Sequence, residues 1–231
     1  MLALVPERSA KDELLDAALS LLREQGFAAT TVDALCTRAG VTKGAFFHHF
    51  ESKDALGVEA VQHWSRVTSA AFQTAAYHEP ADPLARVLAY LEFRKTLLRG
   101  KTAEFSCVAG TLVQETYASH PAIRAACSAS IFGHAETLVA DIASALKQRG
   151  VQADVTAESL AVHTQAVLQG AFVLAKASGD ARLAVESIEH LKRYFALLFE
   201  SEPKARPNPA KPKPKPLVKS AIRRPSTKKS P

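Results

Sequence analysis

Over the first 200 residues the apolar side chains recur at intervals of three and four, and nowhere do they alternate long enough to make a sheet. Local chemistry cuts this helical pattern into segments. Lys11 to Gln25 places Leu14, Leu15, Ala18, Leu21 and Leu22 on one face and stops at Gly26. Thr30 is expected to cap a short helix, with Asp33 at the capping-box position and Val32, Leu35 and Ala39 facing inward. Gly40 ends it, and Thr42 caps the next, which runs to Phe50. Ser52 then caps a longer helix carrying Leu56, Val58, Val61, Trp64 and Val67. Further on, Asp82 is a cap, Pro83 takes the first helical position and Gly100 is the stop. Helices over 107–117 and 121–149 follow, then one from Thr156 to Ser178–Gly179 and a last over 181–200. About nine helices and no convincing strand define an all-α fold.

The composition changes at Ser201. Residues 201–231 hold eight of the twelve prolines, and ten Lys or Arg against one acid, Glu202, a net of +9. Residues 1–200 keep 19 basic and 22 acidic residues, so the helical part is mildly acidic and the basic character is concentrated at the end. Such a segment cannot build a core and is expected to be a disordered basic tail with a polyanionic partner. The three cysteines, Cys36, Cys107 and Cys127, form no CxxC pair. They speak against a disulfide framework and a structural zinc site, and fit a reducing cytoplasm. No run approaches the length of a membrane span and the start lacks the apolar region of a signal peptide, so a soluble, cytoplasmic chain is expected.

The stretch "VTKGAFFHHF", Val41 to Phe50, crowds three phenylalanines and two histidines next to a lysine and a glycine. At 100° per residue, Phe46, His49 and Phe50 fall on one arc. Gly44, Ala45 and His48 fall on the opposite arc, with Lys43 and Phe47 at a border. With the preceding helix, 31–38, and the "AGV" link this is a helix-turn-helix, in which the second helix enters the major groove of DNA. Gly44 weakens that helix by roughly 1 kcal/mol relative to alanine, which is reasonable where backbone must approach a duplex closely.

The run "TTVDALCTRAGVTKGAFFHHFESKDAL" resembles the N-terminal domain of the TetR family of bacterial repressors. The likeness lies in Thr30–Thr31, Ala39–Gly40–Val41, Gly44, the aromatic at 47, Phe50 and Ser52–Lys53–Asp54 before Leu56. The resemblance implies phosphate contacts from Thr31, Thr42, Phe47 and Lys53, and places Lys43, Gly44 and His48 nearest the bases. Where the family usually has tyrosine, Phe47 has no hydroxyl to donate, which leaves van der Waals contact with the backbone. The resemblance also implies a three-helix DNA-binding domain, residues 1–52. A larger helical domain, 53–200, would dimerise through its last two helices and bind a small effector, followed by the tail, 201–231.

In the two final helices Leu160, Val167, Leu168, Phe172, Leu191, Phe195 and Leu198 carry more apolar surface than one small domain needs, and Gly170 and Ala171 permit close approach. They are the candidates for a homodimer interface built as a four-helix bundle. Trp64, Phe93, Phe105, Gln114, Tyr117, His134 and His163 are candidates for lining an effector pocket whose ligand is small and largely hydrophobic. Cys107 near a helix start could be a sensing thiol, though a small core residue is the plainer reading. His48 and His49 point apart on a helix, and "ESIEHLKR" lacks the Glu-x-x-His spacing of helical di-iron sites, so no metal or cofactor is expected. The reading is a homodimeric repressor that a small effector releases from palindromic double-stranded DNA. An architectural DNA-coating protein is the alternative, and a helical enzyme is disfavoured because no catalytic constellation is visible.

Overall fold

The computed structural model describes residues 8–151 and 154–200; the expected tail, 201–231, lies outside the described residues. Among them are eleven α-helices, a single 3-10 turn at Ala76–His78 and no strand, as the periodicity requires. The first four helices are α1 (Ala10–Ala29), α2 (Val32–Ala39), α3 (Lys43–His49) and α4 (Lys53–Gln73). Then come α5 (Pro83–Thr96), α6 (Thr102–Phe105), α7 (Val108–Thr116), α8 (Pro121–Glu136), α9 (Val139–Gln148), α10 (Ala157–Ser178) and α11 (Arg182–Glu200).

The caps set these boundaries. Ser9, Thr31, Thr42 and Ser52 each accept a hydrogen bond from the backbone N–H three residues on, at 3.1 Å in every case. The cap of α2 is thus Thr31 and not Thr30. Thr30 is buried, and its hydroxyl donates back to the Gly26 carbonyl at 2.6 Å, closing the end of α1. Asp33 makes no capping box; its carboxylate pairs with Lys43 on α3. Gly40, in the left-handed conformation, ends α2 as expected. The single helix expected over 121–149 is two, because Thr137 turns its hydroxyl onto the His134 carbonyl and Leu138 plunges into the core. No glycine or proline marks that break. Asp82 precedes Pro83 as read, but its side chain pairs with Arg149 instead of capping the helix.

Two apolar cores are built, and they do not divide at residue 52. One joins α1–α3 and the first half of α4 to α7 and α8: Leu14, Leu22, Leu35, Phe46, Phe50, Leu56 and Val61 meet Val108, Leu112, Ile123 and Cys127. The other is formed by the end of α4 with α5, α9, α10 and α11, around Phe72, Tyr90, Leu91, Ile142, Leu168 and Phe195. With 21 residues, α4 is about 30 Å long and contributes to both. Helices α2 and α3 are therefore fastened to the rest of the chain through α1 and α4 alike.

Near the end of α1, Gly26 takes φ +82° and ψ 178°, a conformation essentially closed to other residues. Glu115 on α7 reaches into the bend, its carboxylate accepting from the Phe27 and Ala28 N–H groups at 3.0 and 3.1 Å. A Cβ on residue 26 would lie 2.1 Å from that carboxylate. Gly26→Ala is therefore expected to cost about 1–3 kcal/mol of stability from the backbone alone. Urea unfolding measures it, and an unchanged midpoint would mean that the bend is not held as described.

Candidate DNA-reading face and effector cavity

On α3 the two-faced pattern is realised. Phe46 and Phe50 are buried, their rings 5.6 Å apart, and His49 is half-buried. Lys43, Gly44 and His48 are exposed, Ala45 is half-buried, and Phe47 is 59% exposed with its ring edge-on to Phe46. A single exposed ring beside a lysine is ordinary on a free surface, and here it is placed where it can make van der Waals contact with sugar and phosphate. The Lys43 ammonium lies 2.6 Å from Asp33, with both side chains mostly in solvent, a pair easily exchanged for another anion.

Thr31 and Thr42 are exposed at the starts of α2 and α3, each spending its hydroxyl oxygen on a cap. Lys53 is only half-buried but already engaged: its ammonium donates to the Phe27 carbonyl at 3.0 Å and sits 4.3 Å from the centre of the Phe27 ring. It thereby ties the start of α4 to the end of α1. All eight residues expected at DNA thus belong to α2–α4 or their caps, and six of them are exposed.

A cavity of about 750 Å³ opens between α4, α5, α8 and α10, a size that suits a small ligand. Of the residues named as candidates from the sequence, Trp64, Phe93, Phe105 and His134 line it. Gln114, Tyr117 and His163 do not: Gln114 donates to the Gly110 carbonyl at 2.7 Å, Tyr117 is exposed at the end of α7, and His163 lies edge-on to Tyr194 on the outer side of α10. Sequence reasoning missed Arg23, Arg94, Gln165 and Gln169 in the wall. The signal for Arg94 was present, since it continues the Val87, Tyr90, Leu91 face of α5 at helical spacing, where a cation is out of place. His134 accepts or donates one hydrogen bond with the Tyr90 hydroxyl at 2.9 Å. Burial, and then the charge of Arg94, push its pKa down to about 3, so it is neutral at physiological pH. Cys107 caps α7, its sulfur 3.4 Å from the Gly110 N–H, at the cavity edge.

The residues expected at a dimer interface divide. Leu160, Leu168, Ala171, Phe172, Leu191 and Phe195 are buried in this chain's own core, where they fasten α10 and α11 to the body. Val167 and Leu198 are half-buried, and Gly170 is exposed. The outward stripe of α10 instead carries Val162, Ala166, Gly170, Val173 and Ala177, and α11 adds Leu183, Tyr194 and Leu197. Glu189 joins Lys95, Glu92 and Lys192 in a surface network of ion pairs. Among the described residues no group of three His, Cys, Asp or Glu side chains is placed to hold a metal, and no helix is long and apolar enough to cross a membrane.

Capped α2 and α3, the left-handed turn at Gly40 and the outward face of α3 define a helix-turn-helix DNA-binding protein. Residues 14–60 match the model described as bacterial regulatory proteins, tetR family, and residues 80–183 match the transcriptional regulator LmrA/YxaF-like, C-terminal domain. The chain belongs to the TetR family of helix-turn-helix transcriptional regulators, a family of DNA-binding proteins and not of enzymes. It is 37% identical over 54 residues to the regulator YerO of Bacillus subtilis, a stretch covering 23% of this chain and 19% of YerO. It is 44% identical over 46 residues to the repressor KstR2 of Rhodococcus jostii, covering 20% of this chain and 22% of KstR2. These alignments span about a fifth of either relative. In fold, it resembles a TetR-family regulator from Agrobacterium tumefaciens with a TM-score of 0.71 at 20% identity, over 80% of this chain and 96% of the other.

Proposed function

We propose that this chain is a homodimeric repressor of near-palindromic operators, released when a small molecule fills the cavity. The observation that carries the reading is Arg23. It is a cavity-wall residue on α1, the helix that packs against α2 and α3, so one rigid element touches both the ligand space and the DNA-reading helices. KstR2, which aligns with 20% of this chain, is named as a repressor, which favours the same sign of regulation here.

A ligand acts only through its differential affinity for two arrangements of the chain. Displacing Arg23 moves α1, and with it the Glu115 clamp at the Gly26 bend and the Lys53 tie to Phe27. In a dimer the two α3 helices must match successive major grooves about 34 Å apart, so a small rotation of α1 in each copy spoils the register. Selecting bound duplexes from a random pool tests the reading. The expected product is one inverted repeat, whereas even recovery of all sequences would favour the architectural coat and reject a repressor.

Ten cations between Lys204 and Lys229 bear on the same experiment. If about four per copy engage phosphates, ending the chain at Glu200 should lower the log–log salt slope of a dimer by roughly seven. Operator preference should survive, since phosphate contacts add affinity without reading bases. Affinity titrations at several salt concentrations decide it; equal slopes for the full and shortened chains would leave the tail with no role on DNA.

A further inference from the structure

Cations on α5 are paired with carboxylates, with one exception. Arg86 binds Asp141 at 2.6 Å, and Lys95 binds Glu92 and Glu189. Arg94, the next residue along from Phe93 in the cavity wall, has no carboxylate partner among the described residues. Its guanidinium instead lies between two rings, 5.2 Å from the centre of Phe72 and 5.7 Å from that of Phe172. What surrounds it is neutral: the buried Tyr90 hydroxyl, His134 hydrogen-bonded to it, and Gln165, whose amide is 3.5 Å from the same hydroxyl. At the other end of the cavity Arg23 lies 5.3 Å over Trp64 and donates to the carbonyls of Leu19 and Glu104, both neutral acceptors. Arg23 also has no carboxylate partner among the described residues.

An arginine stays charged in any protein environment, so half-burying one against aromatic rings without an anion leaves an uncompensated charge. Its planar fork matches a carboxylate with two parallel hydrogen bonds, and such bonds are about twice as strong as neutral ones. We infer that the effector is an amphipathic carboxylate, its anion on Arg94 between Phe72 and Phe172 and its apolar body along Trp64, Phe93 and Phe105. This rests on the cavity being the effector site. The wall as a whole carries Arg23, Arg66, Arg94 and Glu104, but at the Arg94 end a single guanidinium sits amid the neutral Tyr90, His134 and Gln165, which suits one negative charge and the two-oxygen edge of a carboxylate. Trp64 and Phe72 are eight residues apart on α4, on the order of 12 Å, so the body is elongated and its far end reaches the Arg23 stack. Ligand length is then what α1 senses, and a short acid would fill the Arg94 end without disturbing Arg23.

Trp64 is the chain's only tryptophan and lines the cavity, so its fluorescence reports occupancy directly. The full-length protein is titrated with octanoate, dodecanoate and naphthoate, and with the matching alcohols, in parallel with calorimetry. At least one acid is expected to bind about ten- to hundredfold more tightly than its alcohol. In Arg94→Gln that preference should fall to about unity while the alcohol's affinity holds; Arg94→Lys, which keeps the charge and loses the fork, should lie between. The wild-type comparison needs no variant, so a poorly folded Arg94→Gln leaves the test intact. Alcohols binding as well as acids would overturn the carboxylate and keep the cavity as a ligand site. An acid preference that survives Arg94→Gln would move the anion elsewhere and overturn the assignment. Failure of every probe to bind would remove the effector reading together with it.

Discussion

Gly44→Leu is expected to remove operator binding while leaving the chain folded. In the structure residue 44 is exposed on α3, and a Cβ built there meets only the Thr42 hydroxyl oxygen, at an ordinary 3.7 Å. Nothing in the chain therefore requires glycine at this position, and the helix would be more stable without it by about 1 kcal/mol. A residue that weakens its helix and fills no internal need is explained by what approaches from outside. A leucine there would hold the helix off the groove floor and forfeit base contacts in both half-sites of a dimer. Specific binding exceeds non-specific binding by about a thousandfold or more, so operator affinity should fall by that factor to the random-DNA level. Gly44→Ala separates the two effects: its melting temperature should rise slightly while operator affinity falls. Fluorescence anisotropy with operator and random duplexes, beside thermal melts, measures both. Operator affinity unchanged in Gly44→Leu would show that α3 does not enter the groove.

What could be read from the sequence was chemistry that acts locally. Caps at Thr42 and Ser52, the stop at Gly40 and the split of Phe46 and Phe50 from Gly44 and His48 depend on neighbours within one or two turns. Errors of a single residue arose where two local options compete, as at Thr30 and Thr31, both able to cap; the choice fell to Thr30's burial against the Gly26 carbonyl. The break at Thr137–Leu138 was hidden because the chain stays near helical angles and the cause is the pull of the core on Leu138. The cavity was half legible. Aromatic residues could be named, but which of them converge depends on how α4, α5, α8 and α10 cross, and that is set by contacts far apart in sequence. The final helices show the opposite failure. Leu168, Phe172 and Phe195 looked surplus to one domain because the second core that consumes them cannot be counted from periodicity alone.

Those same helices carry the remaining large effect. Val173→Glu, on the outward stripe of α10, is expected to convert the protein to a monomer at micromolar concentration. Val173 is 44% exposed and Leu174 beside it 52%, on a helix whose opposite face is fully used inside the chain. With Val162, Ala166, Gly170 and Ala177 they form a stripe at intervals of three and four, bordered by Leu183 and Tyr194 of α11. Two such hairpins placed face to face make a four-helix bundle, the arrangement that gives a two-fold axis and hence an inverted-repeat operator. A glutamate at residue 173 would be buried twice in that bundle, at about 3–5 kcal/mol for each unpaired charge, enough to raise a dimer dissociation constant by several powers of ten. In the single chain the same side chain stays in water, so thermal unfolding of the monomer should not suffer. Gly170→Leu gives a second approach: a Cβ there meets nothing within 4 Å in this chain, so a loss of the dimer must come from a partner helix packed close against it. Sedimentation of both variants, and of the wild type, decides the matter. If both remain dimers, the two copies meet on another face; if both are monomers yet still bind the full operator with wild-type affinity, dimerisation is not what the reading of DNA depends on. The expected result is loss of the dimer together with loss of operator affinity, while binding to random DNA, which needs only cations and phosphates, is weakened far less.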